Sequence, residues 1–336
     1  MSLRRREFIA GLGGAAVWPL AARAQQPIIP VIGFLNSGSA LAFQRHLDAF
    51  RQGLKEAGYV EGRNVEIDYG WAEGQQARLP ELAAALVRRR ASLIVATGGS
   101  MSAHAATNAT ATIPIVFIAG PDPVADGLVQ NLRRPGGNAT GLAMMTSQLM
   151  PKRLELLLEL VPKAVTIGLL QNAAGIGADA TEEDVEAAIR AFGRQLVVLR
   201  VRTGIDLEAA FVSAVRQGAD ALLVSSSAVF TDRRAQIVAL AARYALPAAY
   251  PWREYVDAGG LASYGPNVVR AYYQAGEYAG RILKGDKPAD LPVQQPVKFE
   301  TVLNVKTAKA LGLIVPRRAL VRADGGIAAR SFKILD

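Results

Sequence analysis

The chain has no cysteine among its 336 residues. This absence excludes disulfides, thiolate metal ligands, a cysteine nucleophile and lipidation of an N-terminal cysteine. Histidine is almost as scarce, because His46 and His104 are the only imidazoles. A zinc site or a histidine-based triad would depend on one suitably placed side chain. We therefore expect neither a metal nor another cofactor.

Long apolar runs and a concentrated basic surface are also missing. After the first two dozen residues, no uninterrupted apolar run approaches the roughly 20 residues of a membrane-spanning helix. The formal charge is +9, but Arg4, Arg5, Arg6 and Arg23 against Glu7 contribute +3 and leave +6. The other basic residues are scattered, without the interleaved aromatic side chains of a nucleic-acid platform. No nucleic-acid partner is expected.

Residues 1–24 have the three parts of an export signal. Arg4, Arg5 and Arg6 precede an uncharged run over 10–22, and Ala22-Arg23-Ala24 is a small-x-small triplet suited to signal peptidase. Paired arginines followed two positions later by Phe8 resemble a twin-arginine signal. We predict cleavage before Gln25 and a periplasmic mature protein, and we leave open whether export is strictly twin-arginine or general secretory.

Short apolar runs alternate with amphipathic segments along the rest of the chain. Residues 30–35 are an apolar run that ends in polar residues, and apolar side chains then recur at helical spacing until Gly58. The same order of segments begins again at Ile167. The pattern predicts an α/β fold with two doubly wound parallel-sheet lobes and a cleft between them.

A glycine-rich stretch over 135–142 marks the expected junction of the lobes. A helix predicted over 268–284 and an extended segment over 293–305 are not part of the repeated strand and helix order of the second lobe. The chain should therefore cross back between the lobes. Three crossings would form a hinge that permits closure around a ligand. The predicted division is a signal peptide at 1–24, an N-terminal lobe of 28–142 plus about 266–292, and a C-terminal lobe of 143–265 plus about 293–322.

Small polar loops follow the predicted strands, where ligands bind in parallel sheets. Thr97, Gly98, Gly99 and Ser100 are the most informative, because a helix begins there and its N–H groups and hydroxyls suit a carboxylate. Ordinary helix capping is the alternative for this loop. The other polar candidates for ligand binding are Asn36, Ser37, Asn172, Ser225 and Ser226.

One acidic and three aromatic residues complete the candidate site. Asp122 lies between prolines after an apolar strand, where its carboxylate would accept hydrogen bonds from a ligand ammonium or cap a short helix near 124–128. Tyr250, Trp252 and Tyr264 lie at or just beyond second-lobe strand ends, where their rings would stack on a ligand. Core packing is the alternative for each ring taken alone.

Several segments together resemble the ABC transporter substrate-binding family typified by tryptophan- and tyrosine-binding members. The resemblance covers roughly 28–316 and is strongest at Asp122-Pro123-Val124 and over 135–141, the sequence Pro-Gly-Gly-Asn-Ala-Thr-Gly. It implies a type I periplasmic-binding fold, an amino acid or related small carboxylate in the interlobe cleft, and a membrane permease with its ATPase as partners. It also implies Thr97, Gly99 and Ser100 near the ligand carboxylate and Asp122 near its amine.

Three other functions remain as alternatives. A sensor-type binding protein, for an aromatic acid or another small solute without transport, has the same sequence features. An exported hydrolase would use carboxylates such as Asp122 and Asp257, but the nucleophile-elbow and phosphate-loop motifs are missing. A sugar-repressor-like regulator needs a DNA-reading segment where the leader lies. We expect a monomeric, non-enzymatic binding protein.

Overall fold

The computed structural model describes residues 29–173, 178–202, 206–317, 319 and 334–335. The predicted export signal and its cleavage site lie outside the described residues. Within the described part, no helix is both long enough and apolar enough to cross a membrane. Most of this part forms two separate sheets and the helices packed against them.

The first sheet is fully parallel and the second is mostly so. Their strands are β1 (Val31–Asn36), β2 (Glu66–Trp71), β3 (Leu93–Thr97), β4 (Ile115–Ala119), β5 (Ala139–Ala143), β6 (Thr166–Asn172), β7 (Gln195–Val201), β8 (Ala221–Val224), β9 (Ala248–Tyr250), β10 (Ala262–Pro266), β11 (Phe299–Asn304) and β12 (Ile334–Leu335). The first sheet has the order β2-β1-β3-β4-β5, and the second has the order β12-β11-β10-β9-β8-β6-β7. Only β10 and β11 pair antiparallel among the described strands.

Helices cover both faces of each sheet. They are α1 (Gln44–Glu56), α2 (Leu79–Arg88), α3 (Ser100–Ala109), α4 (Met150–Leu160), α5 (Ala178–Ala191), α6 (Leu207–Arg216), α7 (Ala228–Asp232), α8 (Arg234–Arg243), α9 (Arg253–Asp257), α10 (Val268–Leu283) and α11 (Val305–Ala310). Strands β3, β4 and β5 are buried along their whole length. Burial on both faces explains why these strands appear in the sequence as short apolar runs.

Helix α10 follows a strand of the second sheet but packs on the first lobe, against α1. The two backbones approach closely at Gly53 and Gly276. A Cβ atom on Gly53 would lie 2.0 Å from the carbonyl oxygen of Tyr273, and one on Gly276 would lie 2.2 Å from that of Phe50. Any larger residue at these two positions would push the helices apart.

The chain passes between the two sheets after β5, after β10 and after α10. The last passage is tied to β5, since Gln294 donates its N–H to the Gly141 carbonyl at 2.9 Å and accepts from the Ala143 N–H at 2.8 Å. The predicted α/β architecture of two parallel-sheet lobes is confirmed.

One predicted boundary and one predicted element were wrong. The segment predicted as extended over 293–305 pairs with β5 at Gln294 and forms β11 from Phe299 to Asn304, but Val305 already begins helix α11. The short helix predicted near 124–128 is a hydrogen-bonded turn instead. Gly127 has a φ of +73° there, in the left-handed region, which ends any helical run.

Candidate functional site

A cavity lies between the two lobes, beyond the carboxyl ends of β3 and β4 on one side and β6 and β8 on the other. Its empty volume is about 1150 Å³, including the part open to solvent. Residues of both lobes line this space.

Seven of the thirteen residues proposed from the sequence line this cavity. Three of them, Gly98, Gly99 and Ser100, come from the first lobe, and the other four, Asn172, Ser225, Ser226 and Trp252, come from the second. The remaining six lie outside the wall; they are Asn36, Ser37, Thr97, Asp122, Tyr250 and Tyr264.

The first turn of α3 forms part of the wall on the first lobe. Gly98 and Gly99 have φ values of +79° and +111°, a conformation that side chains rarely adopt. The N–H groups of a first helical turn have no partner inside the helix. The buried Ser100 hydroxyl lies beside the Asp126 carboxylate but forms no hydrogen bond of normal geometry. A helix start with a buried hydroxyl suits an anionic group such as a carboxylate.

Asn36, Ser37 and Thr97 support this loop from behind. The Asn36 side-chain amide donates to the Thr97 hydroxyl at 2.8 Å and to the Tyr272 hydroxyl at 3.2 Å. Ser37 donates its hydroxyl to the Gly98 carbonyl at 2.6 Å. These three side chains are nearly inaccessible to solvent because they hold the loop, while the loop itself forms the wall.

Hydroxyl and amide groups of the second lobe face the same cavity. Ser225, Ser226 and Ser227 follow β8, and Asn172 ends β6. Asn172 donates its side-chain N–H to the Ser227 hydroxyl at 3.0 Å, which joins the two strand ends. The second lobe thus offers several neutral hydrogen-bonding groups to a ligand.

Aromatic and apolar side chains make up the rest of the wall. Phe43 and Tyr272 both have ring centroids within 5.2 Å of the His46 ring. Trp252 lines the cavity from the second lobe, and the remaining apolar wall comes from Met101, Ile118, Met144, Met150 and Val268. His46 belongs to α1 and Tyr272 to α10, and Phe43 directly precedes α1. Sequence reasoning selected none of these three residues for the site.

Tyr250 and Tyr264 pack elsewhere. Tyr250 is 1% exposed and stacks on Tyr255 with ring centroids 4.9 Å apart, inside the core of the second lobe. Tyr264 stacks on Phe299 at 5.9 Å, across the antiparallel pair β10 and β11. Both rings therefore pack against other side chains, which was the alternative to ligand binding, because their positions on the strands turn them away from the cleft.

Asp122 also lies outside the wall, although its neighbours Gly120 and Pro121 are in it. Its carboxylate accepts the Val124 N–H at 2.9 Å and so closes a local turn. Asp257, the other carboxylate considered for hydrolysis, pairs with Arg253 at 3.5 Å and Arg45 at 3.9 Å and is absent from the wall. The two carboxylates do not form a pair in this cavity.

Two titratable groups that the sequence did not reveal face each other across the cleft. His46 Nε2 on α1 lies 3.8 Å from Glu254 Oε1 on α9. Burial lowers the pKa of His46 to about 4, and the charges of Arg234 and Arg45 add to the shift. Burial raises the pKa of Glu254. His46 is therefore neutral at physiological pH.

Direct contacts between the lobes show that the cleft is closed. Ser39 of the first lobe donates its N–H and its hydroxyl to Asp232 Oδ1 of the second, at 3.2 Å and 3.3 Å. Arg234 donates to the Ala42 carbonyl at 3.4 Å. Burial raises the pKa of Asp232, and the two bonds from Ser39 oppose that rise. These contacts lie beside the cavity and join the lobes across it.

Metal binding has no structural support in the described ranges. No three side chains among their histidines, aspartates and glutamates are grouped to hold an ion. The arrangement instead offers hydrogen bonds, an apolar surface and one carboxylate to a small organic molecule. Together, the fold and the site define a two-lobed binding protein with its ligand cavity in the interlobe cleft.

Comparison with known proteins identifies the family. Residues 29–327 match the family model described as ABC transporter substrate binding protein, so the chain belongs to that family. A tyrosine-binding protein of Clostridioides difficile (strain R20291) is 30% identical over 264 residues, which is 79% of this chain and 75% of that protein.

Solved structures agree with this assignment. A conserved domain protein from Vibrio cholerae has a TM-score of 0.82 at 27% identity, covering 91% of this chain and all of the other. An ABC domain from Streptococcus pneumonia in complex with L-Trp has a TM-score of 0.79 at 25% identity, covering 90% and 100%. More distant periplasmic binding proteins, at 13–15% identity, share the type I periplasmic-binding fold alone.

Proposed function

We propose that the protein is the extracytoplasmic solute-binding component of an ABC importer and that its ligand is an aromatic or branched amino acid or a related small carboxylate. The ligand binds in the open cleft, the lobes close over it, and the closed form docks on a membrane permease whose ATPase drives import. The protein carries out no chemistry on the ligand.

The composition of the cavity wall is the main observation behind this proposal. The start of α3 and the buried Ser100 hydroxyl suit a carboxylate, and Trp252, Tyr272 and the methionines suit an apolar or aromatic side chain. The named relatives support the same ligand class, since one is called a tyrosine-binding protein and another was solved with L-Trp. The predicted leader supports the extracytoplasmic location.

A thermal-shift screen of the purified protein tests the ligand class. A ligand that binds only the native state at a hundred times its Kd adds about 2.7 kcal/mol to the free energy of unfolding, which raises the Tm. We expect aromatic or branched amino acids to raise the Tm and sugars and purines to leave it unchanged. A shift with sugars or purines alone would refute the ligand assignment.

Transport and location need separate measurements in the native host. Deleting the gene should abolish uptake of the labelled ligand, and restoring it should recover uptake. Uptake that continues unchanged would favour a sensor over an importer. The protein should fractionate with the periplasm, and N-terminal sequencing of the mature form should begin at Gln25.

A further inference from the structure

The cavity wall carries one carboxylate and, within the described part of the chain, no lysine or arginine. This carboxylate belongs to Glu254, on the short helix α9 of the second lobe. Its side chain is only 13% exposed. A carboxylate buried to this degree is unfavourable unless a cation or several hydrogen bonds compensate its charge.

The protein's own cations compensate it poorly. His46, the nearest basic side chain, is held neutral by burial and by Arg234 and Arg45. Arg45 reaches Asp257 at 3.9 Å. Arg253 is shared between Asp257 at 3.5 Å and Glu300 at 3.6 Å. The neighbouring arginines thus pair with other carboxylates. Arg45 and Arg253 favour the charged form of Glu254, but burial outweighs them and raises its pKa. Among the described residues, its closest basic partner is neutral His46, at 3.8 Å.

We propose that Glu254 binds a cationic group of the ligand, namely the ammonium group of an amino acid. This inference rests on the proposed function and makes it more specific. The carboxylate end of the ligand lies at Ser100 on the first lobe and the ammonium end at Glu254 on the second. A zwitterion therefore connects the lobes, and each charged end meets a partner on a different one.

The assignment differs from the one that the family resemblance implies. Asp122 was expected near the amine, but it lies outside the wall and its carboxylate accepts the Val124 N–H. Glu254 lies inside the wall and faces neutral His46 across the cleft. An ammonium group next to Glu254 forms short, charge-assisted hydrogen bonds with the carboxylate. A ligand without the amine leaves Glu254 buried and uncompensated.

Calorimetric binding of matched probes to the full protein and to Glu254→Gln tests the inference. The probes are L-tyrosine with 3-(4-hydroxyphenyl)propionate, and L-tryptophan with 3-indolepropionate. Removing one partner of a buried charged pair should weaken binding of the amino acid by at least about 30-fold. The amine-free probe should bind the variant at least as well as it binds the wild type, because glutamine carries no charge to desolvate.

Asp122→Asn is the matched control, because it makes the same chemical change on a carboxylate outside the wall. It should leave both affinities within about threefold, since the amide oxygen still accepts the Val124 N–H. If Glu254→Gln binds L-tyrosine as tightly as the wild type, or if Asp122→Asn alone loses the preference for the amine, the inference is wrong.

One measurement does not depend on the variant folding. The wild-type protein itself should prefer each amino acid over its amine-free partner by the same factor of at least about 30. Equal binding of the two partners overturns the role of Glu254 while leaving a carboxylate-binding function intact. A wild type that binds none of the four probes overturns the proposed ligand class and this inference with it.

Discussion

The closed cleft depends on contacts that can be removed one at a time, and Asp232 is the most informative of them. Asp232 ends α7 in the second lobe and accepts two hydrogen bonds from Ser39 of the first lobe, from its N–H and from its hydroxyl. In the open form, water would replace both donors. Asp232→Ala therefore removes contacts that exist only when the lobes are closed.

The geometry sets the size of the effect. The two bonds measure 3.2 Å and 3.3 Å, longer than the usual distance, and the carboxylate is half-buried. We assign them about 1–2 kcal/mol together, below the usual value for two bonds to a charged group. Since a ligand that binds the closed form must also supply the free energy of closure, this loss weakens binding by about 5- to 30-fold.

Isothermal titration calorimetry with the amino acid that gives the largest thermal shift measures this effect. Asp257→Ala provides the comparison, because Asp257 also reaches across the cleft, to Arg45 at 3.9 Å, but both side chains are exposed. An exposed pair at that distance contributes little, so we expect at most about a threefold change. Equal losses for the two variants would show that the buried contact has no special role in closure.

Three further predictions follow from the site and the packing. Ser100→Ala should weaken L-tyrosine binding about 5- to 10-fold in calorimetry and leave tyramine, which lacks the carboxylate, unaffected. Burial lowers the pKa of His46 from 6.5 to about 4, so the unfolded chain binds a proton that the folded chain does not. The free energy of unfolding, measured by urea titration, should therefore fall by about 3 kcal/mol between pH 6.5 and pH 4. The His46→Gln variant should show a flatter dependence on pH. Gly276→Ala should cost about 1–3 kcal/mol because its Cβ meets the Phe50 carbonyl, whereas Gly137→Ala, which meets no atom within 4 Å, should leave the Tm unchanged.

The sequence was sufficient to predict the architecture because its signals are local. Apolar runs such as Leu93–Thr97 and Ile115–Ala119 are buried strands, and the helix predicted over 268–284 is observed over Val268–Leu283. The loop from Gly98 to Ser100 was recognisable for the same reason, since glycines between a strand and a helix indicate a tight loop at the ligand-binding edge of a parallel sheet.

The rest of the site was beyond sequence reasoning because it depends on packing between distant segments. His46 and Glu254 are more than 200 positions apart in the chain, and only the closed arrangement of the lobes brings them together. Tyr250 and Trp252 are two residues apart, but Tyr250 ends a strand in the core and Trp252 directly precedes helix α9 at the cavity. The Asp122 carboxylate accepts a hydrogen bond within a local turn and does not face the cavity.

The position of Glu254 also bears on how an empty binding protein avoids closing. When the cleft is open, water reaches Glu254, and its charge costs little. Closure without a ligand buries that charge against neutral His46, which is unfavourable. A bound ammonium group removes this penalty, and the weak direct contacts between the lobes then suffice to hold the closed form. The carboxylate that selects the ligand therefore also couples closure to ligand binding, so that a permease recognising the closed form would meet mainly loaded protein.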